Sequence, residues 1–213
     1  EIYAELDYSG RYKSLTHFCP KNTIISNGLS KWCGAGGWRI GYLVFPKKLS
    51  YIKNAVRNIA SETYTSVSAP IQYAAIKAFT EDHSLYLKNS RLILKMIAIY
   101  IHKELVSIGI KIQKADGGFY LICDFSDKIK KTNEIFDSQS LCKKILNETG
   151  FAMLPGTDFG LKNEKLLSRI AFVDFNGKKA LNLLIKDNNV SLEKICPKII
   201  IGIKKLKKWI NKN

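Results

Sequence analysis

The segment that most constrains the fold of this chain is a glycine-rich loop between two short apolar runs. The β-branched run Thr23-Ile24-Ile25 precedes the loop, and an apolar run over residues 40–45 follows it. Both runs are typical of buried strands. The sequence therefore predicts a strand, a tight loop and a second strand within residues 22–46.

The loop contains residue types suited to one kind of chemistry. It has a single lysine, Lys31, and a single arginine, Arg39, around a cluster of glycines. Glycines let the backbone turn sharply and let a ligand come close. A lysine amine can form a covalent bond with an aldehyde, and a guanidinium suits a phosphate group. The loop therefore predicts a site for a phosphorylated aldehyde cofactor.

Five motifs of the chain together resemble one family. Ser30, Lys31, Gly37, Arg39, Gly41 and Tyr42 form Ser-Lys-x5-Gly-x-Arg-x-Gly-Tyr, which resembles the lysine motif of fold-type I pyridoxal-phosphate (PLP) aminotransferases of class I/II, the aspartate/aromatic type. The other four resemble that family's motifs in the same order: Glu1-Ile2-Tyr3, Gly117-Gly118-Phe119-Tyr120, Leu154-Pro155-Gly156-Thr157-Asp158-Phe159-Gly160 and Ser168-Arg169-Ile170-Ala171-Phe172. The resemblance covers residues 1–177.

The resemblance implies a role for four side chains. Lys31 would hold the cofactor as an internal aldimine and later move a proton between the substrate α-carbon and the cofactor. Arg39 would bind the cofactor phosphate, and the Tyr3 phenol would bond the cofactor ring oxygen. Arg169, the only arginine after Arg91, would grip the substrate α-carboxylate through two parallel donors. Taken alone, each of these residues has an ordinary structural explanation, such as a surface lysine or a core tyrosine.

The sequence departs from the family pattern in two respects. The family often has a phosphate-binding serine three residues before the lysine, where this chain has Gly28, so Ser30 becomes the candidate. The aspartate that would pair with the cofactor nitrogen falls before Glu1, and no start methionine is present. We therefore expect the chain to be the C-terminal half of a protein whose missing N-terminal half completes the site.

The two glycine motifs of the second half of the chain have a simpler interpretation. Gly117-Gly118 and Pro155-Gly156 are typical of turns. Neither belongs to a nucleotide-binding Gly-x-Gly-x-x-Gly motif or to a P-loop, so a nucleotide site has little support.

The periodicity of apolar residues predicts an α/β fold. The resemblance implies that residues 1–95 belong to the large PLP-binding domain, with a mixed, mostly parallel sheet and helices on both faces. Residues 96–213 would form a smaller α/β domain. Residues 1–6 are predicted to end a strand, and residues 65–70 to form a loop. The further strands are predicted at 110–113, 119–125, 151–154 and 169–173, and the helices at 47–64, 72–79, 82–108, 138–148, 178–185 and 192–210.

The net charge of +16 raises the question of an anionic partner. Lysine supplies all but five of the 34 basic residues, and the lysines are scattered along the chain. Such scatter is typical of a solvated surface. We expect no nucleic-acid partner and no membrane contact, and we expect the basic, amphipathic C-terminal helix to cover a sheet.

The five cysteines show neither a Cys-x-x-Cys pair nor a spacing typical of metal ligands, and the three histidines lie far apart. The sequence therefore predicts no metal site. Unpaired cysteines favour reduced thiols and a cytoplasmic location.

The resemblance implies a homodimer that transfers an amino group from an L-amino acid to a 2-oxo acid. Two alternatives stay open at this point. One is a PLP-dependent β-elimination lyase that cleaves carbon–sulfur bonds on the same scaffold. The other is a non-catalytic aminotransferase-like fragment or regulatory module, whose positive charge would meet nucleic acid.

Overall fold

The computed structural model describes residues 1–64 and 66–213. Thr65, the first residue of the predicted loop over 65–70, lies outside the described residues. The described chain divides into two compact units, unit 1 over Glu1–Arg91 and unit 2 over Leu92–Asn213.

Unit 1 contains the predicted strand, loop and strand. Strand β1 (Ile25–Gly28) pairs antiparallel with β2 (Gly41–Val44), with Ile25 opposite Val44 and Gly28 opposite Gly41. The antiparallel pairing follows from the connection, because the loop returns the chain directly along the strand that it leaves. Each strand pair among the described residues is antiparallel, so the mostly parallel sheet expected for the large domain is not seen in this part of the chain.

Helices α1 (Ser50–Thr63), α2 (Ala69–Thr80) and α3 (Ser84–Val106) follow, close to the predicted ranges. Pro70 lies in the first turn of α2, where its missing N–H has no helical partner to lose. The prediction of a strand end over residues 1–6 is wrong. This segment forms a 3-10 helix over Ala4–Leu6, because the Leu6 N–H turns back to donate to the Tyr3 carbonyl over 2.8 Å.

Unit 2 is built on a four-stranded antiparallel sheet of order β3-β4-β6-β5. Its strands are β3 (Lys111–Ile112), β4 (Tyr120–Asp124), β5 (Leu154–Pro155) and β6 (Leu167–Ala171). One face is buried, with Leu121, Cys123, Ser168 and Ile170 at most 3% exposed. Because side chains alternate along a strand, Tyr120 and Arg169 lie on the opposite, less buried face.

Four helices complete unit 2: α4 (Ser138–Thr149), α5 (Gly177–Lys186), α6 (Leu192–Ile195) and α7 (Pro197–Lys212). The single helix predicted over 192–210 is wrong in one respect, because the chain breaks between α6 and α7. Pro197 has no N–H to donate and begins a new helix instead. Helix α7 buries its apolar stripe, and the Trp209 indole N–H donates to Glu148 of α4 over 2.7 Å.

The buried apolar side chains are distributed unevenly. Among the described residues, 30 lie in unit 2 and five in unit 1. Unit 2 therefore has a hydrophobic core of its own, whereas unit 1 leaves most of its apolar surface uncovered within this chain. No helix among the described residues combines the length and apolar character needed to cross a bilayer.

Candidate active site

The loop between β1 and β2 is fixed by the burial of residues on either side of Lys31. Leu29 is 1% exposed, and Trp32 and Ala35 are both buried. The Ala35 N–H donates to the Leu29 carbonyl and the Gly34 N–H donates to the Lys31 carbonyl, each over 3.1 Å. The backbone of Lys31 is thus held inside a closed turn, with the side chain half-buried.

The first turn of α3 anchors the same loop. The Tyr86 hydroxyl donates to the Trp32 carbonyl over 2.9 Å, and the Trp32 indole lies 5.9 Å from the His83 ring. Burial raises the pKa of Tyr86, which keeps its phenol protonated as the donor. Sequence reasoning did not identify these anchors, because they lie more than 50 residues from Trp32 along the chain.

Tyr3 and Lys31 lie together in unit 1. The Lys31 Nζ atom is 5.7 Å from the centroid of the Tyr3 ring, within the range of a cation–π contact. The structure therefore brings an amine and a phenol into one place, as the predicted cofactor site requires.

Arg91 anchors the segment that carries Tyr3. Its Nε donates to the Glu5 carbonyl over 2.7 Å, and its Nη2 pairs with the Glu5 carboxylate over 2.8 Å. The Arg91 side chain is only 20% exposed, so this pair is better shielded than an ordinary surface ion pair. Sequence reasoning missed this role. The only available signal is that Arg91 is one of five arginines in a lysine-rich chain.

Arg39 follows the glycine turn in a left-handed conformation, with φ of +53°. It is the only non-glycine residue with positive φ in the described part of the chain. Its guanidinium Nη1 donates to the Gly36 carbonyl over 2.8 Å, which ties the side chain to its own loop. A left-handed conformation costs about 1–2 kcal/mol for an L-residue, so the surrounding loop must hold it in place.

Arg39 lines a groove of about 900 Å³ on unit 1, along β2 and α1. Lys53 and Arg57 of α1 contribute two further cations, and none of the described lining residues is acidic. A groove with three cations and no carboxylate suits an anion such as phosphate.

Gly28 shows why the serine of the family pattern is absent here. A Cβ atom at this position would lie 2.9 Å from the Ile40 carbonyl oxygen and 3.3 Å from the Gly41 Cα. Strands β1 and β2 approach too closely to admit a side chain. The role of Ser30 as the replacement phosphate ligand stays a prediction.

Arg169 lies on β6 between two aromatic rings. Its Cζ atom is 4.2 Å from the Tyr120 ring centroid and 4.1 Å from the Phe159 ring centroid. Its Nε is buried and has no hydrogen-bond partner among the described residues. A buried donor without a partner costs about 1–3 kcal/mol. A guanidinium that lies near two rings and keeps at least one donor unpaired among the described residues suits a ligand carboxylate.

The two glycine motifs of unit 2 place these rings. Tyr120 begins β4 directly after the turn at Gly117-Gly118, and β4 pairs with the strand that carries Arg169. Phe159 ends a 3-10 helix over Gly156–Phe159. Gly117 forms an isolated β-bridge and Gly118 a bend, whereas Pro155 ends β5 and Gly156 begins the 3-10 helix. The position of these motifs brings two aromatic side chains onto Arg169.

The four predicted site residues fall into two groups. Tyr3, Lys31 and Arg39 belong to unit 1, and Arg169 belongs to unit 2. No group of three or more His, Cys, Asp or Glu side chains suited to a metal ion occurs in the described part of the chain.

Comparison with known proteins assigns the family. The sequence model of aminotransferase class I and II matches residues 1–176. The chain belongs to this family, whose enzymes depend on PLP.

Two curated relatives show the extent of the similarity. The chain is 30% identical over 183 residues to an aspartate/prephenate aminotransferase of Thermus thermophilus, covering 85% of the chain and 45% of that protein. It is 30% identical over 166 residues to a probable N-acetyl-LL-diaminopimelate aminotransferase of Bacillus subtilis, covering 77% of the chain and 39% of that protein. The chain thus spans less than half the length of each relative.

A solved structure confirms the predicted α/β fold class. The structure of a tetra mutant of Thermus thermophilus aspartate aminotransferase matches with a TM-score of 0.75 at 23% identity. The match covers 98% of this chain and 49% of that one. The expectation that the chain is a C-terminal half stays a prediction.

Proposed function

We propose that the protein carrying this chain is a PLP-dependent aminotransferase, which transfers the amino group of an L-amino acid to a 2-oxo acid. The observation that carries the proposal is the Lys31 amine beside the Tyr3 phenol, in a loop fixed by buried residues. Family membership supports the reaction class. We further propose a cytoplasmic homodimer with domains over 1–95 and 96–213, completed by an N-terminal half. The absence of a nucleic-acid or membrane partner stays a prediction.

The donor groups of unit 1 fit this cofactor. An amine suits an aldehyde, a phenol suits a ring oxygen, and the cationic groove at Arg39 suits a phosphate. When bound, PLP supplies an electron sink for negative charge at the substrate α-carbon.

Each of the four side chains then has a distinct task. Lys31 would anchor the cofactor, and its amine would hold and move the proton at the substrate α-carbon. Arg39 would hold the phosphate, and the Tyr3 phenol would donate to the ring oxygen. Arg169 binds the substrate α-carboxylate with the guanidinium edge that includes its unpaired Nε.

The role of Lys31 can be tested by covalent labelling. The protein is incubated with PLP, reduced with borohydride and digested, and the pyridoxyl group is located by peptide mass. We expect the label on the peptide that contains Lys31 and its loss in Lys31→Ala. The variant Lys21→Ala, at an exposed lysine of unit 1, should keep the label. An undiminished label in Lys31→Ala, at another lysine, would contradict the proposal.

The reaction class can be tested with an amino donor. Aspartate is the first donor to test, because the names of several relatives include it. An aminotransferase forms the 2-oxo acid of the donor only in proportion to the acceptor supplied. Release of ammonia and 2-oxo acid without an acceptor, from a β-substituted amino acid, would instead favour the lyase alternative.

A further inference from the structure

We propose that Tyr120 and Phe159 are positioning residues that hold the guanidinium of Arg169 ready for a carboxylate. This inference rests on the proposed function and extends it to two side chains that neither the family match nor the sequence analysis assigns. The rings lie 4.2 Å and 4.1 Å from the Arg169 Cζ. Their effect is to fix the plane of the guanidinium before the substrate arrives.

A guanidinium has two chemically different parts. Aromatic rings interact with the face of this flat, weakly hydrated cation, whereas its N–H donors lie in its plane. Rings can therefore hold the group without using its donors. The buried Nε without a partner shows that at least one donor is left unused among the described residues.

A carboxylate side chain could hold the arginine equally well, but it would compete with the substrate for the same donors. In the described part of the chain, Arg169 forms no ion pair with an aspartate or glutamate. A free arginine side chain also samples many rotamers, and an ordering contact removes this entropy cost before binding. The two rings therefore favour carboxylate binding without blocking it.

The backbone fixes both rings relative to β6. Ile122 lies directly opposite Arg169, so Tyr120 is the diagonal neighbour on the same face, within reach of a long side chain. Phe159 is held from the other direction, because Gly156 at the start of its 3-10 helix lies against Leu167 of β6.

Packing alone does not explain Phe159. Its side chain is 41% exposed, so it contributes little to the core of unit 2. The contact that the structure describes for the Phe159 ring is the cation–π contact with the Arg169 guanidinium. A residue held in this way is expected to affect ligand affinity more than folding.

The test replaces Phe159 in the PLP-loaded protein that carries this chain. We expect Phe159→Leu to raise the KM for the amino donor and the Kd for succinate, an unreactive dicarboxylate measured by calorimetry, by about tenfold. The kcat should change by less than about twofold. Phe159→Trp should restore both constants, because a larger ring keeps the stacking contact. Phe136→Leu, at another exposed phenylalanine of unit 2, serves as the matched control.

The outcomes separate this inference from the proposed function. Unchanged KM and Kd in a folded Phe159→Leu variant would overturn the inference, as would a failure of Phe159→Trp to restore them. An equal increase in KM and Kd in Phe136→Leu would show a general packing effect and would overturn the inference as well. Because succinate binding needs no amino transfer, it reports on Arg169 even if the labelling of Lys31 fails and the proposed reaction is wrong.

Discussion

At the scale of single residues, two positions require glycine because another segment of the chain approaches the backbone closely. Gly28 lets β1 meet the Ile40 carbonyl, and a Cβ atom on Gly156 would lie 2.8 Å from the Leu167 Cβ. The first contact keeps the lysine loop closed, and the second fixes the turn that carries Phe159. Both glycines therefore contribute to the candidate site without touching a ligand.

Gly156→Ala should destabilise the protein by about 1–3 kcal/mol, because the methyl group would overlap with backbone and side-chain atoms of Leu167. Gly177→Ala is the matched control, since a Cβ atom there meets nothing within 4 Å. That substitution should be neutral or stabilising by up to about 1 kcal/mol. Urea unfolding of both variants measures the difference. Equal stabilities would show that the turn at Gly156 moves away without cost.

Some residues of the candidate site could be predicted from the sequence, and others could not. Lys31 and Arg39 share one glycine-rich loop, and the loop indicates a phosphorylated aldehyde cofactor when it is taken together with the four further motifs of the chain. The stacking of Tyr120 and Phe159 on Arg169 could not be predicted, because it depends on the pairing of β4 with β6 and on the turn at Gly156. Such contacts depend on the tertiary fold rather than on spacing.

At the scale of elements, α4 shows how a local hydrogen-bond pattern sets a helix start. The Ser140 N–H donates to the Asp137 side chain over 2.8 Å, and the Asp137 N–H donates to the Ser140 hydroxyl over 3.0 Å. This reciprocal pair is a capping box. Hydrogen bonds from the Ser140 backbone and hydroxyl lower the pKa of Asp137 from its ordinary value.

Asp137→Ala should cost about 1 kcal/mol of stability at neutral pH, because the first turn of α4 loses its acceptor. Asp137→Asn keeps a side-chain acceptor and should therefore lose only about a few tenths of a kcal/mol of stability. Because folding lowers the pKa of Asp137, the contribution of its charge is complete above the ordinary value of 3.8 and disappears as the pH falls through the folded pKa. The difference in the free energy of unfolding between the native chain and Asp137→Asn, measured with urea, should therefore become smaller between pH 7 and pH 3. A gap that widens on acidification would contradict this assignment.

Most elements follow closely from periodicity, although the strand predicted over 151–154 shares only Leu154 with β5. Two further exceptions are instructive. Apolar residues keep a helical spacing from Ile195 to Ile210, so periodicity alone joins α6 to α7, although Pro197 separates them. Residues 1–6 resemble a strand end by motif and form a 3-10 helix instead. In both places a local backbone requirement overrides the wider pattern.

At the scale of the whole molecule, the uneven core divides the chain into regions of different expected stability. Helix α1 has no buried side chain and α2 has one, whereas α7 buries six. Unit 1 also carries the lysine loop, whose described anchors are a few buried residues, two backbone hydrogen bonds within the loop and one hydrogen bond from Tyr86 of α3. The part of the chain that carries the proposed cofactor site is therefore expected to be the less stable part when these 213 residues are taken alone.

Amide hydrogen exchange measured by mass spectrometry should reveal this difference within a single helix. Helix α3 crosses the division between the units, and its buried residues all follow Arg91, beginning with Ile93. In the 213-residue chain we expect peptides from residues 92–106 to exchange at least tenfold more slowly than peptides from 84–90, because exchange there requires opening of the core of unit 2. Peptides of α1 should exchange as fast as the first turn of α3, and those of α7 as slowly as its second half. Uniform protection along α3 would mean that unit 1 gains its stability from contacts other than buried apolar surface.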